Sequence, residues 1–192
     1  MSRRPDVVVA GHRGDQATAR AGLADPDAKV RASALGALDR LGVLDDATLL
    51  RATADAEPLV RRRAAQLTAR HVGVSPRGLL DDPDASVVEM AAFACGEQER
   101  VGPDVVARLA ALGVDHPDAL VREAAVAALG AIGDPAGLPA ILAATRDKPA
   151  IRRRAVIALT PFDGPEVDEA LVRARSDRDW QVRQVADDLD NA

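Results

Sequence analysis

The sequence predicts an all-α fold: a right-handed α-solenoid of about six helical hairpins, filling residues 1–192 as a single domain. Three observations carry this. An acidic turn followed by an apolar residue recurs six times, and the apolar anchors Val30, Val60, Val87, Val121, Ile151 and Val182 are spaced by 30, 27, 34, 30 and 31 residues. A self-similar period in the range of about 20–50 residues marks a repeat array. Five of the six anchors are followed by arginine (Arg31, Arg61, Arg122, Arg152 and Arg183), whereas the third copy has Val88 in that slot. Hydrophobic residues make up 47% of the chain but aromatics only 2%, so the core must be built from Ala, Leu and Val, which suits small, closely packed helices.

Each element follows from local chemistry. Residues 1–14 carry no clear period and are expected to form an N-terminal cap or to be partly disordered; six helix pairs then fill 15–190. The first helix of the first pair covers 15–24, with Asp15 as N-cap. Asp25-Pro26-Asp27 stops it, because Pro cannot continue a helix, and Asp27 caps the next. In the second helix Val30, Ala34, Ala37, Leu38 and Leu41 recur at helical spacing, and Gly42 ends it. The later first helices are expected over 45–54, 76–81, 103–112, 135–145 and 164–175, several opening on Asp or Pro (Asp45, Pro76, Pro103, Pro135). Val121, Ala125, Ala128, Leu129 and Ile132 repeat the first pair's pattern, and Gly133 closes it. The third pair stands apart: its first helix is short, its arginine is missing and its step to the next copy is the longest, so a local irregularity is expected there.

The pattern Asp-Pro-Asp-x-x-Val-Arg-x-x-Ala-x-x-x-Leu, best preserved at 25–38 and, with His116 in the first position, at 116–129, resembles the HEAT repeat family, specifically the short HEAT-like repeats of the phycobilin lyase type. The resemblance covers roughly residues 15–190 and implies a stack of helical hairpins that serves mostly as an interaction scaffold. It also implies a ladder in which turn aspartates bind helix arginines, giving structural roles to Arg31, Arg61, Arg122, Arg152 and Arg183. The family's metal-dependent hydroxylases use repeated His-Glu pairs, and this chain has no His-Glu dipeptide.

Charge and special residues narrow the function classes. Net charge is -5; residues 1–71 carry 12 basic and 9 acidic side chains, 72–145 carry 4 and 11, and 146–192 carry 9 and 10. A nucleic-acid-binding domain usually shows a basic excess, which is absent here. The single cysteine, Cys95, excludes an intramolecular disulfide and reads as a buried small hydrophobe in a reducing, cytoplasmic setting. No stretch approaches the ~20 apolar residues of a membrane span. His12, His71 and His116 have no zinc-ligand spacing, so neither metal nor cofactor is expected. The run Gly11-His12-Arg13-Gly14-Asp15 reads as a turn entering the first helix, with anion cradling as the alternative. Trp180 is expected to cover the end of the core, with an exposed aromatic binding contact as the alternative. Val7-Val8-Val9 could join the first repeat's core or make a dimer contact, leaving monomer and weak dimer both open.

No catalytic constellation emerges, and a non-enzymatic protein-binding scaffold is the leading expectation. By the resemblance, the second helices line the concave side. At about 100° per residue, the positions two and six after each anchor point away from the core face. The former row contains Arg62, Glu89, Glu123 and Arg153; the latter contains Phe93 and Ile157; the adjacent row adds Arg63, Met90 and Arg154. These nine residues are the candidate site for a protein or peptide partner, an acidic centre flanked by arginine pairs, unless they form only a solvated face. Alternatives from other classes are a nucleic-acid-binding or DNA-glycosylase-like protein and, by the repeat type alone, a bilin lyase or chromophore chaperone.

Overall fold

The computed structural model describes residues 4–190 and is all-α, as expected. Twelve α-helices occur among the described residues, and they divide into two compact units with the boundary between residues 94 and 95. In the first unit lie α1 (Arg4–Arg13), α2 (Gln16–Ala21), α3 (Ala28–Arg40), α4 (Asp46–Ala52) and α5 (Pro58–Thr68). A short 3-10 turn (Gly22–Ala24) extends α2, and a second (Pro76–Asp81) stands where the third pair's first helix was expected. The boundary falls within α6 (Ala85–Gly96). The second unit holds α7 (Pro103–Asp115), α8 (Ala119–Ile132), a 3-10 turn (Pro135–Gly137) leading into α9 (Leu138–Ala144), α10 (Pro149–Ala158), α11 (Pro165–Arg175) and α12 (Trp180–Asp190).

The hairpins form where the punctuation places them. Asp27, Asp118 and Asp179 accept hydrogen bonds from the backbone N–H two residues on, at 2.8, 2.8 and 2.9 Å. Pro58, Pro103, Pro149 and Pro165 open α5, α7, α10 and α11, where the missing N–H costs nothing. Gly133 ends α8 at φ 69°, a left-handed conformation that a side chain would strain.

The periodic residues are the core. All six anchors are buried, and so is the alanine four residues after each: Ala34, Ala64, Ala91, Ala125, Ala155 and Ala186. A methyl group at this position keeps neighbouring helices close without a cavity. Cys95 occupies the slot held by Leu38, Leu129 and Leu159 in other copies and is buried like them, so it serves as a small hydrophobe.

Within the stretch 1–14, expected as a cap or a partly disordered lead, Arg4–Arg13 form a helix that packs along α3. Val7, Ala10 and Gly11 are its buried stripe, at i, i+3 and i+4. Gly11 lies so close that a Cβ on it would be 2.9 Å from the Cα of Ala37. Val7 therefore belongs to the first repeat's core, while Val8 and Val9 are exposed. Trp180 also departs from expectation: it is 61% exposed and does not cover the core's end. The anticipated irregularity is real. The third pair has only a 3-10 turn as its first element, and the boundary between the units falls in its second helix.

Candidate peptide-binding face

The arginines divide into two populations, one spent on the fold and one not. In the first unit Arg31 grips both oxygens of Asp55 (2.9 and 2.7 Å) and Arg61 those of Asp82 (2.6 and 2.8 Å). In the second, Arg122 grips Asp147 and Arg152 grips Asp177, each through two bonds of 2.6–3.0 Å. The remaining guanidinium nitrogen of each reaches back to carbonyls of its own turn, Asp25 and Pro26 for Arg31, His116 and Pro117 for Arg122. Asp55, Asp82 and Asp177 also accept from the backbone N–H two residues on, which shapes the turn. Bidentate geometry needs arginine's planar fork. The arginine hydrogen bonds hold these four carboxyls below the usual carboxylate range. Among the described residues Arg183, in the last helix, bonds the carbonyls of Asp177 and Arg178 and no carboxylate.

Where Val88 replaces the arginine, the corresponding turn has His116 in place of aspartate, so donor and anion are lost together. His116 keeps the local turn role: its Nδ1 accepts from the N–H of Asp118 at 3.1 Å. Likewise Asp15 caps α2, accepting from the N–H of Thr18 at 3.0 Å, so the Gly11–Asp15 run joins two helices.

Arginines outside the ladder line the face shared by α1, α3 and α5, where Arg4 donates to Oγ of Ser33 at 3.3 Å. An open cleft of about 320 Å³ runs across this face. Its basic lining is Arg4, Lys29, Arg40, Arg62 and Arg63; Ala32 and Gly36 form part of the lining, with Val8 and Leu59 beside them, and no carboxylate lines it. Arg63 lies across Gly36, where a Cβ would come within 2.1 Å of its Nη2, and it donates to Oε1 of Gln66. Burial, partly opposed by Asp39 and reinforced by Arg40 and Arg70, lowers the pKa of the Arg63 guanidinium.

The nine sequence-derived residues thus separate. Arg62 and Arg63 line the cleft together. On α6, Glu89 and Met90 are half-buried while Phe93 is 47% exposed. On the second unit, Ile157 is 41% exposed, Arg153 donates to Gln181 at 3.2 Å, and Arg154 lies 3.7 Å from the carboxylate of Glu123. The two arginine pairs are therefore not equivalent: the Arg62/Arg63 pair has no carboxylate within ion-pair distance among the described residues, and the Arg153/Arg154 pair is partly engaged. Sequence reasoning missed Arg4, Lys29, Arg40, Val8 and Leu59. The stripe Val7, Ala10, Gly11 was the available signal for α1, and with it a third wall for the cleft. Among the described residues no three His, Cys, Asp or Glu side chains form a metal-binding group, and no helix is long and apolar enough to cross a membrane.

This architecture, an all-α repeat solenoid, is that of HEAT and armadillo proteins. Residues 77–159 match the family model of HEAT repeats. No curated protein sequence matches the chain. Among solved structures, the E. coli protein YibA is similar over 97% of this chain and 73% of its own, with a TM-score of 0.68 at 18% identity. A designed armadillo repeat protein in complex with the peptide (KR)4 is similar over 99% of both chains, with a TM-score of 0.61 at 18% identity. Human deoxyhypusine hydroxylase is similar over 96% of this chain and 75% of its own, with a TM-score of 0.52 at 19% identity. At these identities the likeness is one of fold.

Proposed function

We propose that the protein is a non-enzymatic scaffold that binds a segment of another protein on the face of its second helices. One observation carries this: the cleft displays Lys29, Arg40 and Arg62, cationic side chains that the fold does not use, on α3 and α5, whose ladder arginines are fully used. Side chains kept out of internal pairs are free to make intermolecular ones. A solenoid of the same fold, the designed armadillo protein, holds a peptide. Each unit also carries, on a second helix, an exposed apolar side chain of the kind that anchors interfaces, Phe93 on α6 in the first and Ile157 on α10 in the second.

A random peptide-display library selected on the immobilised chain tests the reading. Enriched peptides that bind the native protein and are lost by Arg62→Glu/Arg63→Glu, Phe93→Ser or Ile157→Ser support it. A library that enriches nothing, or peptides held equally by all variants, overturns it.

A further inference from the structure

Resting on the scaffold reading above, we propose that the cleft on α1, α3 and α5 takes an acidic segment of a partner protein, bound extended, with Asp or Glu alternating with small residues. The charge of the lining comes first. Five basic side chains and no carboxylate line the cleft, in a chain whose net charge is -5. The concentration of positive charge is therefore local and not a reflection of bulk composition.

Three of these cations are also unspent, whereas Arg4 donates to Oγ of Ser33. Among the described residues, the side chains of Lys29, Arg40 and Arg62 have neither a hydrogen bond nor a carboxylate within ion-pair distance. Arg31 and Arg61, on the same α3 and α5, are each held by an aspartate and two carbonyls. Arg63 has only Gln66 as a partner, although it is half-buried and burial works against its charge. An incoming carboxylate would offset that desolvation with a charge-assisted hydrogen bond.

The shape selects the backbone. Gly36 has no side chain and Ala32 only a methyl, so a peptide main chain can come close, with Val8 and Leu59 beside it. Three helices packed about 8–10 Å apart span about 20 Å. An extended segment of about six residues crosses that distance, with alternate side chains on one face. Nucleic acid, the other polyanion, is held by proteins through aromatic stacking platforms as well as charge. The cleft has no aromatic side chain, and a long polyanion would extend beyond it along a net acidic chain.

Fluorescence anisotropy with the full chain decides the matter. The probes are labelled peptides of about eight alternating residues, Glu-Ala, Gln-Ala and Lys-Ala, and an oligothymidylate of equal length. The variants are Lys29→Glu/Arg62→Glu, whose side chains hold nothing in the fold, and a charge-matched control in the second unit, Arg173→Glu/Arg178→Glu, both checked by circular dichroism. The Glu-Ala peptide is expected to bind best, to lose about tenfold in affinity in the cleft variant and nothing in the control, and to weaken as salt rises from about 50 to about 300 mM. Equal or better binding of the Gln-Ala or Lys-Ala peptide, lost in the cleft variant, would overturn the acidic occupant and leave the scaffold reading standing. Tighter, cleft-dependent binding of the oligothymidylate would replace the peptide by nucleic acid. No binding of any probe, or Glu-Ala binding untouched by the cleft variant, would remove the cleft as a docking site.

Discussion

Arg61 and Asp82 meet in a two-point grip, Nε to Oδ2 at 2.6 Å and Nη2 to Oδ1 at 2.8 Å, with their side chains only 14% and 5% exposed. The third nitrogen of Arg61 holds the carbonyls of Asp55 and Ala56 at 2.9 and 3.0 Å, so one guanidinium ties its own turn to the next. Asp82→Ala strands a nearly buried cation and is expected to lower stability by on the order of 3 kcal/mol. The i, i+4 pair Glu169–Arg173, 4.0 Å apart and well exposed, is the contrast: Arg173→Ala should cost less than about 0.5 kcal/mol. Urea unfolding of the two variants measures the difference, and equal midpoints would deny the ladder its structural role.

The same grip sets an acid limit. The carboxyls of Asp55, Asp82, Asp147 and Asp177 are lowered in the fold, first by the hydrogen bond from their arginine, against partial desolvation. A carboxyl that is more acidic when folded stabilises the fold above its unfolded pKa, about 3.9. That contribution is lost as pH falls from there through the lower folded value. The thermal midpoint should therefore be flat from about pH 7 to about pH 5 and drop steeply below about pH 4. Asp82→Asn should start less stable and fall less over the acid range, since one titrating ladder carboxyl is gone. A midpoint that rises on acidification would contradict the assignment.

Arg61→Lys separates geometry from charge. Lysine keeps the cation but lacks the fork that reaches a carboxylate and two carbonyls at once. It should lose about 1–2 kcal/mol, less than Asp82→Ala, because a charge of the right sign remains opposite Asp82. A variant as stable as the native protein in urea would show that charge alone suffices.

Much of this was legible in the sequence, for one physical reason: repetition turns weak local signals into strong ones. A single Asp-Pro-Asp is only a turn, but six acidic turns ahead of apolar anchors fix the hairpins, and the buried Ala34, Ala64 and Ala125 follow from the spacing. What the repeat did not cover was not legible. Helix α1 has no acidic turn before it, so its stripe of Val7, Ala10 and Gly11 passed as a cap, and Arg4 and Val8 were missed with it. Lys29 and Leu59 precede the anchors, on rows that sequence alone could not assign to a cleft. Trp180 was expected to cover the end of the core, yet its position just after the Asp177–Asp179 turn leaves it in solvent. The engagement of Arg154 by Glu123 depends on side-chain reach, which periodicity does not encode.

Two glycines on second helices separate packing from binding. At Gly130 an added Cβ would fall 2.6 Å from both Cα and Cβ of Ala158, a neighbouring helix backbone that cannot step aside. Gly130→Ala should therefore cost about 1–3 kcal/mol through overpacking, despite alanine's better helix propensity. At Gly36 the obstacle is only the far end of the Arg63 side chain, 2.1 Å away at Nη2. That guanidinium can swing, so Gly36→Ala should leave stability unchanged or raise it by up to about 1 kcal/mol. Its effect should appear in the cleft instead: Arg63 loses its seat across α3, and affinity for the Glu-Ala peptide falls several-fold while circular dichroism is unaltered. Paired urea melts and anisotropy titrations read both quantities. If Gly36→Ala destabilises the fold as much as Gly130→Ala, then Gly36 is a packing glycine and the cleft floor has no role in placing Arg63.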